Sequence, residues 1–405
     1  MDFALNPMQR ELVERARRFV DEVCAPYDAV WPLSDYDVDP EVLGELRRKF
    51  TEWGFRAIAV PKEAGGQGLG VLAKSLVYEQ LWRSIALRGI GVTWSAYLDP
   101  HPALHDAPDW QRRKYLDPVL RGEAMYHICI SEPDHGSDAA GIELRAERRG
   151  GDFILNGLKR WTPDPFHPLT RPDYLLVYAV TAPGHGYKGI STLLVDFPSA
   201  GIDVESVVET TAPGSFLGRV SDLRFTDVLV PAENLLGAEN EGFHYVQDQL
   251  NRNRAVIAAS SVGEAQRCLD LALDYAQTRQ TFGQPLAERQ FVQFSLAEME
   301  IDIQMARALA YRAAWAIDSG ADARSEVAMA KARCPQLACS VIDRAIQILG
   351  GIGCRADMRM GETYFMHRIA QIAEGSVEMM KTTIFRGLLA RPRSRETGVG
   401  AATGS

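Results

Sequence analysis

The feature that most constrains the fold is a double change of periodicity along the chain. Apolar residues recur at helical spacing through residues 1–122, give way to short β-rich runs from about Met125 to about Val230, and return to helical spacing from about Glu241 to Leu389. That order predicts an α+β multidomain chain: an N-terminal helical domain over 1–124, a middle β-barrel or sandwich domain over 125–238, and a C-terminal helical bundle over 239–390. The polar, Gly-rich segment 391–405 is expected to be a disordered tail.

Local signals fix the elements. Asn6-Pro7 caps a helix carrying Leu12, Ala16, Phe19, Val20 and Val23 on one face, and Pro40 to Trp53 is a second helix that Gly54 stops. Helices follow over Leu72–Trp82 and Trp110–Leu120. Strands are expected at Met125–Ile130, Phe153–Lys159, Tyr174–Thr181, Ile190–Asp196 and Leu223–Val230. Long helices are expected at Leu286–Asp318 and Ala323–Leu349. Val60–Gly70 is glycine-rich but does not fit a dinucleotide-binding loop.

Composition narrows the function. A net charge of −9 argues against non-specific nucleic-acid binding. The six cysteines form no C-x-x-C pair and no metal-ligand spacing, so reduced thiols and a cytoplasmic location are expected, without a metal site. No secretory signal is read at the N-terminus, and no uninterrupted apolar run suggests a membrane span.

The stretch Arg368–Met380, R-I-A-Q-I-A-E-G-S-V-E-M-M, holds the main candidate for chemistry. Glu374 follows Ile369, Ile372 and Ala373 and directly precedes Gly375. A carboxylate in apolar company has its charged form disfavoured, which lifts its pKa toward that of a useful general base. Gly375 permits a sharp turn, and Ser376 is an N-cap for a helix through Val377, Met379, Met380, Ile384 and Leu388. The carboxylate is therefore expected at a joint between two helices, beside N–H groups that favour negative charge. A surface glutamate at a helix end accounts for the same residues, so the weight must come from elsewhere in the chain.

Four further motifs supply it. Ile128–Asp138 reads I-C-I-S-E-P-D-H-G-S-D, Lys159–Pro163 reads K-R-W-T-P, Arg279–Gly283 reads R-Q-T-F-G before Gln290, and Gln347–Gly353 reads Q-I-L-G-G-I-G. With Glu374-Gly375-Ser376, and in this order, they resemble the acyl-CoA dehydrogenases, FAD enzymes with an N-terminal helical domain, a middle β domain and a C-terminal four-helix domain. The resemblance spans about residues 5–390.

The resemblance implies roles. The backbone of Ile128 and Ile130 and the Ser131 hydroxyl would bond the polar edge of the isoalloxazine, with Gly136 in the same turn and Ser137 facing the thioester arm. Trp161 stands where the family has Trp, but Thr162 comes one position early. Pro163, which has no donor, occupies the site of the hydroxyl near flavin N5, in a loop stiffened by Pro165, Pro168 and Pro172. Either a shift of register lets Thr162 serve, or the flavin environment differs. Arg279 would pair with the FAD pyrophosphate and Phe282 would pack on the cofactor, in a segment with Gln290 that crosses a subunit interface. Gln347, Gly350 and Gly351 would let backbone approach the FAD of the neighbouring subunit. Glu374 would be the base. Some members place the base on an earlier helix, at the position of Asn253 here, where an amide cannot serve. Ser376 and Glu378 would lie toward the FAD adenosine, and Asn251, Arg252, Arg254 and Gly375 toward the substrate.

The implied reaction is FAD-dependent α,β-dehydrogenation of an acyl thioester. Glu374 would remove the α-proton and flavin N5 take the β-hydride, while the Glu374 N–H and a ribityl hydroxyl polarise the carbonyl. An electron-transfer flavoprotein is the expected acceptor, and a homotetramer or homodimer the expected assembly. Ala373 stands where straight-chain members often carry Tyr, which permits a branched, cyclic or aromatic acyl group. Alternatives are an oxidase or monooxygenase on the same fold, a carrier-protein thioester as substrate, and a flavin-binding assembly protein with little turnover.

Overall fold

The computed structural model describes residues 4–89, 99–167, 170–212 and 218–390. The segment 391–405, expected to be a tail, and Pro168 of the proline-rich loop lie outside the described residues. In the first helix, α1 (Pro7–Arg18), the Asn6 side chain accepts from the Gln9 N–H at 2.9 Å and Gln9 Oε1 accepts from the Asn6 N–H, which closes a capping box. Phe19, the residue after α1, meets Trp53 and Phe55 edge-on, and so joins α1 to α2 (Pro40–Glu52). Next comes α3 (Gly70–Leu81), whose first-turn N–H groups at Val71 and Leu72 donate to Asp318 at 2.7 and 2.8 Å. A Cβ at Gly70 would lie 2.6 Å from that carboxylate, so the contact requires glycine.

The middle domain is an eight-stranded sheet. Its strands are β1 (Tyr126–Cys129), β2 (Arg145–Arg149), β3 (Asp152–Pro163), β4 (Tyr174–Val180), β5 (Ile190–Asp196), β6 (Ile202–Glu209), β7 (Arg219–Val230) and β8 (Leu235–Leu236). They run in the order β6-β7-β3-β2-β4-β5-β8, and β1 pairs with β4 in parallel. Three strands, β2, β6 and the two-residue β8, escape the sequence reading. In β2 only Ala146 is buried and the rest is charged, so no apolar signal marks it.

Five helices follow: α4 (Gly242–Thr278), α5 (Gln290–Asp318), α6 (Arg324–Leu349), α7 (Met360–Ala370) and α8 (Val377–Leu389). Buried alanines such as Ala259, Ala310 and Ala338 let α4, α5 and α6 approach closely around one core. The segment Arg324–Cys354 is long and apolar enough to cross a membrane by length and composition, which the sequence reading did not anticipate. Half of its most apolar stretch is buried in the fold, where Cys334, Leu337, Val341 and Ile342 belong to the bundle core.

One buried ion pair pins the loop after β1. Lys159 Nζ lies 2.8 Å from Glu132 Oε1, with side chains 0% and 4% exposed, and also donates to the Ile130 carbonyl at 3.0 Å. The Glu132 carboxylate accepts from the Glu143 and Leu144 N–H groups as well. Removing one partner strands a buried charge, which costs about 3–5 kcal/mol, whereas removing both costs much less. We therefore expect Lys159→Met to lower the urea-unfolding free energy by about 3–5 kcal/mol. Adding Glu132→Leu should restore most of the loss, and additive losses in the double variant would contradict this account.

Candidate active site

The site is built on a turn. Helix α7 ends at Ala370, the chain turns through Gln371–Gly375, and Ser376 starts α8 by accepting the Met379 N–H at 3.4 Å. Glu374 sits in this turn with a left-handed φ of 54° and Gly375 with φ of 99°. For a residue with a Cβ that conformation costs about 1–2 kcal/mol and needs holding. Two cations hold it. Arg254 Nε of α4 donates to the Glu374 carbonyl at 2.7 Å, and Lys331 Nζ of α6 donates to the next carbonyl, Gly375 O, at 2.6 Å. A Cβ at Gly375 would fall 3.0 Å from Arg254 Nη2 and 2.9 Å from Met380 Cε, so glycine is required for both its φ and its neighbours.

Both cations face carbonyl oxygens, and the acid group stays separate. Glu374 is half-covered as a residue, but its Oε2 is shut off from solvent and has no hydrogen-bond partner among the described residues. Burial pushes the Glu374 carboxyl up to about 7, against the opposing pull of Arg254, Lys331 and the Asn253 amide. Burial likewise presses the Lys331 ammonium down to about 7, although Glu374 favours its charged form. Sequence reading missed Lys331. Its only signal is a lysine inside the apolar run V-A-M-A-K-A, which periodicity alone assigns to an exposed face.

Helix α4 joins this turn to the loop after β1. Val246 and Leu250 pack in one cluster with Ile128 and Ile130, and about one turn further along α4 Arg254 grips Glu374. Asn251 Oδ1 accepts from Arg254 Nη1 at 3.3 Å, so Asn251 steadies the same guanidinium. Ser131 is tied to β3 by the Arg160 N–H, which donates to its carbonyl at 2.8 Å. Gly136 and Ser137 are exposed just beyond it. A bulge in β3 between Lys159 and Thr162 gives Trp161 a φ of 66° and leaves it 58% exposed. Thr162 turns the other way: it is buried, and its hydroxyl lies 3.7 Å from Cys129 Sγ in the core of the sheet.

The remaining candidates lie at the far end of the bundle. Helices α5 and α6 are antiparallel, so the start of α5 and the end of α6 share one end. Arg279, Gln290, Gln347, Gly350 and Gly351 are exposed there, and Phe282 is 99% exposed at a φ of 49°. Gly350 lies about 28 Å along α6 from Lys331. A single chain therefore does not bring this group to Glu374. Ser376 and Glu378 stay beside Glu374, with Glu378 exposed in the first turn of α8.

The raised carboxyl has a consequence for stability. Between its ordinary value of 4.5 and about 7 the folded protein holds a proton that the unfolded chain has released. The stabilising effect is complete below 4.5 and is lost as pH rises through about 7. We expect Glu374→Gln to flatten this decline when urea-unfolding free energies are compared across that window; an unchanged slope would contradict the assignment.

Comparison with known proteins agrees with this geometry. Family models match in sequence: the acyl-CoA dehydrogenase N-terminal domain at residues 6–123, the middle domain at 127–228 and the C-terminal domain at 240–389. A 3-(aryl)acrylate reductase of Clostridium sporogenes is 32% identical, over 94% of this chain and 98% of that protein. The mitochondrial short-chain specific acyl-CoA dehydrogenase of Rattus norvegicus is 34% identical, over 86% of this chain and 83% of its own. Butyryl-CoA dehydrogenase from Megasphaera elsdenii superposes with a TM-score of 0.84 at 27% identity, covering 96% of this chain and 100% of that one. The chain belongs to the acyl-CoA dehydrogenase family, whose enzymes are FAD-dependent oxidoreductases.

Proposed function

We propose that this chain oxidises the Cα–Cβ bond of an acyl-CoA, with Glu374 as the base that removes the α-proton. The observation that carries the reading is the buried Glu374 carboxyl, raised to about 7 and left without a hydrogen-bond partner on Oε2. Near neutral pH such a group can take a proton and hold it in a dry site. The backbone hydrogen bonds of the turn run from the Ala373 and Val377 N–H groups and do not use that of Glu374, which suits it to donate to the thioester oxygen as charge develops there. One such donor is worth roughly 3 kcal/mol in the transition state.

FAD, when bound, supplies the two-electron acceptor for the β-hydride. The residues fit it. Trp161 offers an uncovered ring beside the Ser131 loop, and the second group offers an exposed guanidinium at Arg279, the bare ring of Phe282, and open space over Gly350 and Gly351. Because the second group lies at the far end of α6, about 28 Å from Lys331 and the Glu374 turn, we propose that each cofactor is held between two copies of the chain. Exposed Phe291, Phe294, Ile301, Met305 and Trp315, at helical spacing along α5, supply an apolar face for such assembly.

A second reading has its own support. The Thr162 hydroxyl faces Cys129, so it does not replace the hydroxyl that Pro163 displaces. Faster reaction with oxygen is the chemistry that this change would favour. Anaerobic mixing of the holoenzyme with a panel of acyl-CoAs separates the readings. We expect the flavin absorbance to bleach, and Glu374→Gln to slow bleaching roughly 10²–10⁴-fold while retaining FAD. Rapid oxygen uptake during aerobic turnover would favour an oxidase. Unchanged bleaching in Glu374→Gln would remove Glu374 from the mechanism. For the shared site, we expect Arg279→Ala to lose FAD and subunit association together; full flavin content in that variant would refute it.

A further inference from the structure

This inference concerns a residue that serves the reaction, and it rests on the dehydrogenase reading. Lys331 stands near the start of α6 beside Ala328 and Ala332, which pack with Val377 and Met380 of α8 in one apolar cluster. Lys331 itself is 0% exposed. An ammonium carries three donors, and among the described residues only the one aimed at Gly375 O finds a hydrogen-bond partner. With water shut out, its charge depends on the charges around it. Those that face it are Glu374 and Glu378, which favour the ammonium, and Arg254, which opposes it.

The carboxyl of Glu374 has the matching surroundings. Arg254 and Lys331 favour its ionised form, the Asn253 amide helps them, and burial outweighs all three. The two cations differ in kind. Arg254 keeps its charge at any working pH, and its guanidinium is spent on Glu374 O and Asn251 Oδ1. Lys331 can lose its proton, so its charge and that of Glu374 support each other across the turn. An acyl-CoA laid over the turn takes away the water that still reaches Glu374. That raises the cost of an ionised carboxylate, and it strengthens the pull of a fixed cation nearby.

We propose that Lys331 is a positioning residue for the base: its ammonium, fastened to Gly375 O, keeps the Glu374 carboxylate ionised beneath the bound ester and ready for the α-proton. A lysine that merely props the turn would have a different signature. Its loss would move the carboxylate away from the substrate and slow the reaction at every pH. Loss of a supporting charge instead slows the reaction only where Glu374 takes up a proton, and alkaline pH restores the rate.

The test compares wild-type holoenzyme with Lys331→Met and Lys331→Arg across pH. One readout is the infrared band of the protonated Glu374 carboxyl, assigned by its loss in Glu374→Gln. The other is the rate of flavin bleaching on anaerobic mixing with the acyl-CoA that bleaches the wild type fastest. We expect Lys331→Met to retain FAD and to protonate Glu374 at a pH higher by about one unit or more. Bleaching should then be about tenfold slower near pH 6 and close to the wild-type rate near pH 9, since one unit is tenfold on the acid limb. Lys331→Arg should follow the wild type in both readouts. Should Lys331→Met not fold, Lys331→Gln, which removes the charge and keeps a donor, takes its place. An unmoved carboxyl band in the uncharged variant overturns the proposal. Bleaching slowed equally at every pH, or a shift in Lys331→Arg as large as in Lys331→Met, overturns it too. If no ester bleaches the wild type while the band still moves, the dehydrogenase reading falls and the support of Glu374 by Lys331 stands. If esters bleach the wild type and the band stays, that support falls and the dehydrogenase stands.

Discussion

Two cations on two consecutive carbonyl oxygens hold the turn on which the site depends. Arg254 comes from α4 and Lys331 from α6, so the packing of those helices decides where Glu374 stands. The left-handed backbone at Glu374 is strained by about 1–2 kcal/mol, and a charge-assisted hydrogen bond contributes about 1.5–3 kcal/mol. The margin is narrower than it looks, because a buried ammonium such as Lys331 loses much of its solvation. The arrangement is better understood as placing a group than as stabilising a fold. Positive φ recurs at Trp161 and Phe282, and also at Ala57, Asp227, Asn240 and Arg359 away from this turn.

The same contacts account for the acid. Had either cation bonded the carboxylate itself, Glu374 would be held ionised and weakly basic. Because both are occupied with carbonyls, they act on the carboxyl only at a distance, and burial prevails. Geometry thereby lets the carboxyl titrate near neutral pH although Arg254 and Lys331 stand close by. Separation of the two groups proposed to hold the cofactor is the other constraint. About 28 Å of α6 lies between Lys331 and Gly350, so under the proposed function the exposed Phe282 serves the cofactor of a second copy of the chain.

Much of the fold was legible in the sequence, because helical and strand periods survive without tertiary knowledge. The caps at Asn6 and Ser376 and the stop at Gly54 stand where local chemistry places them. Strand β2 was hidden, since Arg145–Arg149 is mostly exposed and draws its pairing from β3. In the site, Glu374, Gly375 and Arg254 were readable from motif order. Lys331 was not. It is one polar residue in a long helix, and its importance lies in a contact with Gly375, more than forty residues away in sequence. Thr162 shows the limit from the other side: only the bulge in β3 decides that its hydroxyl faces Cys129.

The central claim is that the carboxyl of Glu374 removes a proton from the carbon next to the thioester. Exchange in deuterated water tests this step apart from electron transfer: holoenzyme is incubated with a saturated acyl-CoA without an electron acceptor, and deuterium at Cα is read by mass spectrometry. The account predicts label at Cα with the wild-type protein and almost none with Glu374→Gln. Equal labelling by the two proteins would contradict it.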